Sequence, residues 1–423
     1  MKRRASQLVI DPAAGAMEGV RSFDLRAFDG LRGLAALYIV VNHASFELWV
    51  GSHRALATGG FAAVLAYAAV PFRYGSEVVL LFFLLSGFVI HLRQAQSLAR
   101  GEMPSFRAVS FFRRRAIRLL PPLLFALLLT AALDQVGSQA NQSFYEAVSI
   151  RSHSRSAFTF VMNALFLQGF AAPTFGSNSP LWSLSYEAIF YALYPAFLFA
   201  RVHFGARTAF GATFAAGAAG SAVHAAVSPA IAWTISPYFA VWTLGAFIAE
   251  AFARDLPLRR PLLMLALACP LIVPLLAVRG VVDPTLRSSI FAPGLALVMA
   301  VFVLHPAGLG FAAVLARLRG LGARSYTLYV IHLPILICMA ALWVRARGDP
   351  PASGWLAFVG IVAAVAAAYA VAPIVELPFS ERAKLRSIPV TRPASQVARR
   401  RSAMSGRSAD VMSEEMADER RAA

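Results

Sequence analysis

Apolar residues in this chain are gathered into blocks of about 17–25 residues, and the segments between them are rich in arginine, glycine and proline. A hydrocarbon core of ~30 Å needs about 20 helical residues at 1.5 Å each, so blocks of this length predict membrane-spanning helices. Ten such spans are expected: 29–50, 77–92, 117–134, 184–202, 208–227, 233–252, 261–278, 288–304, 326–344 and 354–375. Two further apolar stretches, 60–72 and 158–171, are too short to cross, and the second carries Asn163 and Gln168. They are expected to be interfacial or re-entrant pieces. The pattern predicts an all-α polytopic membrane protein of about ten transmembrane helices.

Composition narrows the class. The 423 residues are 58% hydrophobic and 14% charged, where a soluble chain carries roughly 25% charged residues. One core cannot absorb that excess, because cores stop growing near ~250–300 residues. An ordinary soluble enzyme, a disordered chain and a fibrous protein are all excluded. The net charge of +18 comes from 39 Lys+Arg against 21 Asp+Glu. No basic stretch is interleaved with aromatics as a nucleic-acid groove requires, so no nucleic-acid partner is expected. Topology accounts for the bases instead. With the N-terminus inside and ten spans, 31 of the 39 bases fall on the inner side, which places both termini in the cytoplasm.

Residues 1–27 form a basic N-terminal segment with no apolar stretch or cleavage site, so no signal peptide is expected. The membrane domain is expected over 28–380, and a basic cytoplasmic tail over 381–423 with too little apolar content to fold. Cys269 and Cys338 lie in apolar runs and are read as small buried hydrophobes.

Three clusters could carry chemistry. Asp29, Arg32 and His43 fall on one stripe of the first span, with Arg32 and His43 about 16 Å apart along the axis. Ionisable groups at membrane depth are functional by default and should face a cavity. Arg113, Arg114, Arg115 and Arg118 sit at the entrance of the third span, where a helix N-terminus and guanidinium forks together suit phosphate. Ser183, Glu187 and Tyr191 repeat at i, i+4 and i+8, with Ser183 placed to cap the helix and Glu187 a turn inside. Ser86-Gly87 is read as a close-packing pair. His332 is read equally as packing or as function. His91, His203, His53, His153 and His305 are expected to be solvated at span ends or in loops. No metal-ligand motif occurs, and no metal site is expected.

Six segments together resemble acyltransferase family three, the integral-membrane enzymes that O-acetylate bacterial surface polysaccharides and related glycans. They are FDGLRGLAALYIVVNH (28–43), FFLLSGFVI (82–90), FFRRRAIRLLPP (111–122), LWSLSYEAIFYALYP (181–195), SYTLYVIH (325–332) and VELPF (375–379), in family order. The resemblance implies a ten-helix fold in the bacterial inner membrane. It also implies an acyl-CoA co-substrate with no bound cofactor, and a hydroxyl acceptor on a sugar or lipid-linked sugar. By the same resemblance His43 and Arg32 are the catalytic pair, Arg113–Arg118 hold the donor, and Glu187 is a further functional position. One departure is Leu80, where the family often carries an acid; Glu77 lies one turn earlier.

The expected activity is transfer of an acyl group, acetyl first, from cytoplasmic acyl-CoA to a glycan, glycolipid or polysaccharide-precursor hydroxyl. His43 would be the general base, with Arg32 and Asp29 orienting the reacting groups. Ser86, Ser183 and Tyr191 are candidate nucleophiles if the acyl group passes through the enzyme. A proton-coupled transporter or flippase using His43 and Glu187 is the rival reading, and it gives the arginine cluster no specific task.

Overall fold

The computed structural model describes residues 26–149, 154–226, 234–256, 265, 284–304 and 306–381. Among the described residues there are nine helices of 19–33 residues: α1 (Arg26–Glu47), α2 (Gly75–Ala99), α3 (Ala108–Ala140), α4 (Trp182–His203), α5 (Gly205–Ala226), α6 (Ile235–Ala253), α7 (Pro284–Leu304), α8 (Ser325–Arg347) and α9 (Trp355–Val375). They coincide with nine of the ten expected spans. The remaining one, 261–278, lies outside the described residues, as do the N-terminal segment up to residue 25, the tail beyond Glu381, Cys269, His153 and His305. Among the described residues five segments are long and apolar enough to cross a membrane: Gly60–Ala99, which contains α2, and then α3, α6, α8 and α9. The described residues form no β-strand, only two isolated bridges, Ser154 with Phe175 and Gln168 with Ala172.

Helix α8 carries apolar residues on every side, and a helix of that kind belongs in the interior. Every residue from Ser325 to Pro334 is buried, and α1, α3 and α9 pack around it. Pro334 lacks an N–H, so the Val330 carbonyl loses its helical donor. The Asn178 side chain supplies one at 2.8 Å, and its amide also reaches Thr130 Oγ1 at 3.1 Å.

Asn178 belongs to the segment 154–181, which contains the short apolar stretch expected to be re-entrant. It holds the helix Ala157–Ala164 and a 3₁₀ turn, Ser179–Leu181, and between them it returns so that Phe175 bridges Ser154. Its polar side chains staple it. Asn163 bonds the Pro173 carbonyl and the Phe175 N–H, Gln168 bonds the Leu181 carbonyl, and buried Asp134 of α3 accepts from Ser177 N–H and Oγ at 2.8 and 2.5 Å. The other short stretch forms the helix Gly60–Ala69 followed by a 3₁₀ turn.

Glycines set the closest approaches. A Cβ on Gly87 of α2 would strike the Trp242 carbonyl of α6, and one on Gly245 would strike the Leu84 carbonyl. Ser86 Oγ accepts from the Trp242 indole at 3.3 Å. The Ser86-Gly87 pair is thus the crossing point of α2 and α6, as expected from its residue types. Gly87→Val should destabilise the protein by about 1–3 kcal/mol or more, because backbone rather than a movable side chain is in the way. Gly211→Ala on α5, where nothing stands within 4 Å, should be neutral or better. Thermal unfolding of the two purified variants in detergent separates these outcomes.

Candidate active site

His43 lies near the C-terminal end of α1 and pairs with His332 of α8. His43 Nδ1 and His332 Nε2 are 2.9 Å apart, with the rings stacked at 5.0 Å and 25°. His332 is 0% exposed, whereas His43 is half-buried. An apolar cluster of Ala44, Leu48, Leu336, Ala340 and Leu356 begins beside the pair, continues toward the C-terminal ends of α1 and α8, and packs α1 against α8 and α9. Tyr329 continues the polar line along α8. Its hydroxyl donates to the Pro180 carbonyl at 2.9 Å and lies 2.8 Å from Ser183 Oγ.

Asp29 and Arg32 lie at the opposite end of α1. Three glycines put them there. A Cβ on Gly30 would meet the Leu315 carbonyl, one on Gly33 the Gly322 nitrogen, and one on Gly322 the Asp29 carbonyl. The first turns of α1 therefore run backbone to backbone against residues 315–322, which only glycine allows at these positions. Arg32 is half-buried there, and the charges that bear on its guanidinium are Arg118, Asp29, Glu376 and Glu187. Glu376, just past α9, is buried and accepts from Thr327 N–H at 2.8 Å and Thr327 Oγ1 at 2.6 Å. Tyr191 O–H donates to Glu187 one turn away on α4, so the stripe read at i, i+4 is real. Ser183, by contrast, caps no backbone N–H and instead meets Tyr329.

The arginine cluster divides in two. Arg113 and Arg114 are exposed, while Arg115 and Arg118 turn inward. The Arg115 guanidinium stacks 3.6 Å from the Phe111 ring centroid and 5.3 Å from that of Tyr191, with Nη1 on the Phe111 carbonyl at 3.2 Å and Nε buried without a partner. The expected help from a helix N-terminus is corrected by the structure. Helix α3 begins at Ala108, after the loop containing Pro104, so its free N–H groups lie a turn or more before Arg115 and Arg118. The guanidinium groups themselves remain.

The acyltransferase domain model of acyltransferase family 3 matches residues 25–375. The chain belongs to acyltransferase family 3. With its long apolar helices, this family member is a membrane acyltransferase. No curated protein and no solved structure matches the chain.

The acyltransferase also contains a buried ionic network that the sequence did not disclose. His91 Nε2 lies 3.2 Å from Glu250 Oε1, and its Nδ1 lies 3.2 Å from the Tyr194 hydroxyl. Arg201 holds Glu250 with Nε and Nη2 at 2.5 and 2.8 Å, and Arg254 adds a contact at 3.2 Å. His91 is 0% exposed, so the expectation that it is solvated fails. His91, Arg201 and Glu250 each fall within two residues of the end of an expected span, and sequence gives no sign that α2, α4 and α6 bring those ends together. Among the described residues no cluster of His, Cys, Asp and Glu could hold a metal. A cavity of about 380 Å³ is lined by Asn42, Ser45 and Phe46 of α1 and by Trp49 just beyond it, together with Phe72 and Arg73. Asn42, Ser45 and Phe46 lie about 60–160° around the helix from His43, and the histidine does not line the cavity.

Glu250→Ala would strand Arg201 among buried neighbours. Removing one partner of such a pair typically destabilises by about 3–5 kcal/mol. Glu250→Ala should therefore lower the unfolding temperature of the purified acyltransferase far more than Glu102→Ala, which breaks only the surface pair with Arg100. Equal melting of the two variants would show that the Glu250 network carries no stability.

Proposed function

We propose that the protein moves an acyl group, acetyl first, from acyl-CoA to a hydroxyl of a glycan, glycolipid or polysaccharide precursor. The reading places it as a multi-pass protein of the bacterial inner membrane, with ten spans and both termini in the cytoplasm. The observation that carries it is the division of α1 into two functional ends. Arg118 of the arginine cluster lies near Arg32, and a partly buried imidazole lies eleven residues, about 16 Å, further along the same helix. Acyl-CoA has that polarity, with phosphates at one end and the thioester at the far end of a long pantetheine arm. Arg113, Arg114, Arg115 and Arg118 would take the phosphates, with charge-assisted and bidentate hydrogen bonds available to them.

At the other end His43 acts as general base. It accepts the proton of the acceptor hydroxyl as the oxygen attacks the thioester carbonyl. The C–S bond then breaks, and the leaving thiolate takes that proton, giving the ester and free CoA. Direct transfer fits the bonding of the candidate nucleophiles. Ser86 serves the Trp242 indole, Ser183 meets Tyr329, and Tyr191 donates to Glu187, so none of the three has a histidine as its base. Glu187 and Asp29, beside Arg32, would keep that guanidinium in place.

The test is release of CoA thiol from acetyl-CoA by protein in proteoliposomes, supplied with a panel of oligosaccharides and glycolipids. Wild type should release thiol only when an acceptor is present. His43→Asn should lower kcat by about 10²-fold or more while acetyl-CoA affinity holds. Solute movement by wild type without thiol release would instead support a transporter. Arg115→Ala combined with Arg118→Ala should raise KM for acetyl-CoA, each lost charge-assisted contact contributing about 1.5–3 kcal/mol. Unchanged affinity in that double variant, correctly inserted, would move the donor site elsewhere.

A further inference from the structure

His332 bears on which nitrogen of His43 can act as a base. His332 Nδ1 lies 2.7 Å from the Tyr329 carbonyl oxygen and 3.2 Å from that of Leu328, one turn back on the same helix. A carbonyl oxygen only accepts, so Nδ1 carries the hydrogen, and in a neutral ring Nε2 carries the lone pair. That Nε2 is 2.9 Å from His43 Nδ1. Two lone pairs do not bond, so His43 Nδ1 must carry a hydrogen and donate it. The lone pair of His43 is left on Nε2. The arrangement is rigid, because His332 is fully enclosed and the Val330 carbonyl beside it is held by Asn178.

We propose that His332 is a positioning residue for acyl transfer, its backbone-anchored ring holding His43 as the Nδ1–H tautomer so that Nε2 is the base. The proposal rests on the acyl-transfer reading for its catalytic consequence, and on hydrogen bonding alone for the tautomer. When Nε2 takes the acceptor's proton, the Nδ1–H bond to His332 becomes charge-assisted. The pair therefore binds more tightly in the transition state than in the resting enzyme, and only such a differential contact accelerates chemistry. His332 itself cannot replace His43 as base, since it is wholly buried and its one lone pair is occupied.

Two substitutions and one spectroscopic readout test this. Glutamine at 332 can set an amide oxygen near the Nε2 position and still accept from His43, whereas leucine offers no acceptor. His332→Leu should lower kcat for thiol release by about 10²-fold, the scale of general-base catalysis, with acetyl-CoA affinity unchanged. His332→Gln should return turnover to within about tenfold of wild type. In ¹⁵N-histidine-labelled protein in bilayers, the His43 ring should read as Nδ1–H in wild type and in His332→Gln, and lose that preference in His332→Leu. If the leucine variant does not fold, the wild-type spectrum and the glutamine variant still decide. A His43 ring protonated on Nε2 in wild type overturns the proposal, and so does equal turnover of the Gln and Leu variants. Thiol release absent from wild type while the Nδ1–H tautomer is present would sink the acyl-transfer reading and leave the tautomer lock standing.

Discussion

No water reaches the middle of a bilayer to answer a polar group, so every polar side chain on a buried membrane helix has to find its partner in the protein. Helix α8 imposes that constraint on the whole molecule, because its first ten residues are enclosed on all sides and yet include Ser325, Tyr326, Thr327, Tyr329 and His332. Ser325 returns to the Gly322 carbonyl at 2.7 Å, and Tyr326 reaches the Leu119 carbonyl of α3 at 3.1 Å. Thr327 takes Glu376 beyond α9, Tyr329 takes Pro180, and His332 takes His43 of α1. Each bond ties α8 to a different neighbour. The elements meeting at the site are thereby held in register by one column of hydrogen bonds.

The two ends of α1 are built on different physics. At the arginine end, packing is set by glycines, and backbones approach until no side chain fits between them. Charges of both signs crowd there, so a bound anion would displace solvent from groups already in place. At the histidine end the packing is apolar, through Ala44 and Leu48, and a single nitrogen–nitrogen bond orients the imidazole. One end is suited to holding charge, the other to moving a proton away from it.

Sequence disclosed what is local or periodic. Long apolar blocks gave nine of the long helices, and the i, i+4 spacing gave the Tyr191–Glu187 bond. Asn163 and Gln168 in a short apolar stretch marked the segment that forms no long helix and is held by side-chain bonds to its own backbone. It could not disclose pairings that only the fold makes. His43 and His332 are 289 residues apart, and nothing in either segment names the other. The His91, Glu250 and Arg201 network fails for a related reason. Each residue alone resembles an interfacial group at a span end, and burial follows only once three helix ends converge. The start of α3 was misjudged because apolarity marks where a helix enters the membrane, and not where it begins.

This separation of sites bears on how binding energy is used. Interactions with parts of a substrate remote from the reacting bond accelerate a reaction only if they hold that bond in a geometry which would otherwise be entropically costly. The proposed donor contacts at Arg115 and Arg118 would satisfy that condition if the column between them and His43 is stiff. Helix α8 is such a column, fixed near Tyr326 at one end and at His332 at the other. Phosphate binding at one end of α1 would, on the proposed reading, set the position of a thioester at the other, and the acceptor hydroxyl would need only to meet a base whose reactive nitrogen is already chosen. On the proposed reading, the buried polar groups of α8 are therefore the means by which binding at one end reaches the chemistry at the other.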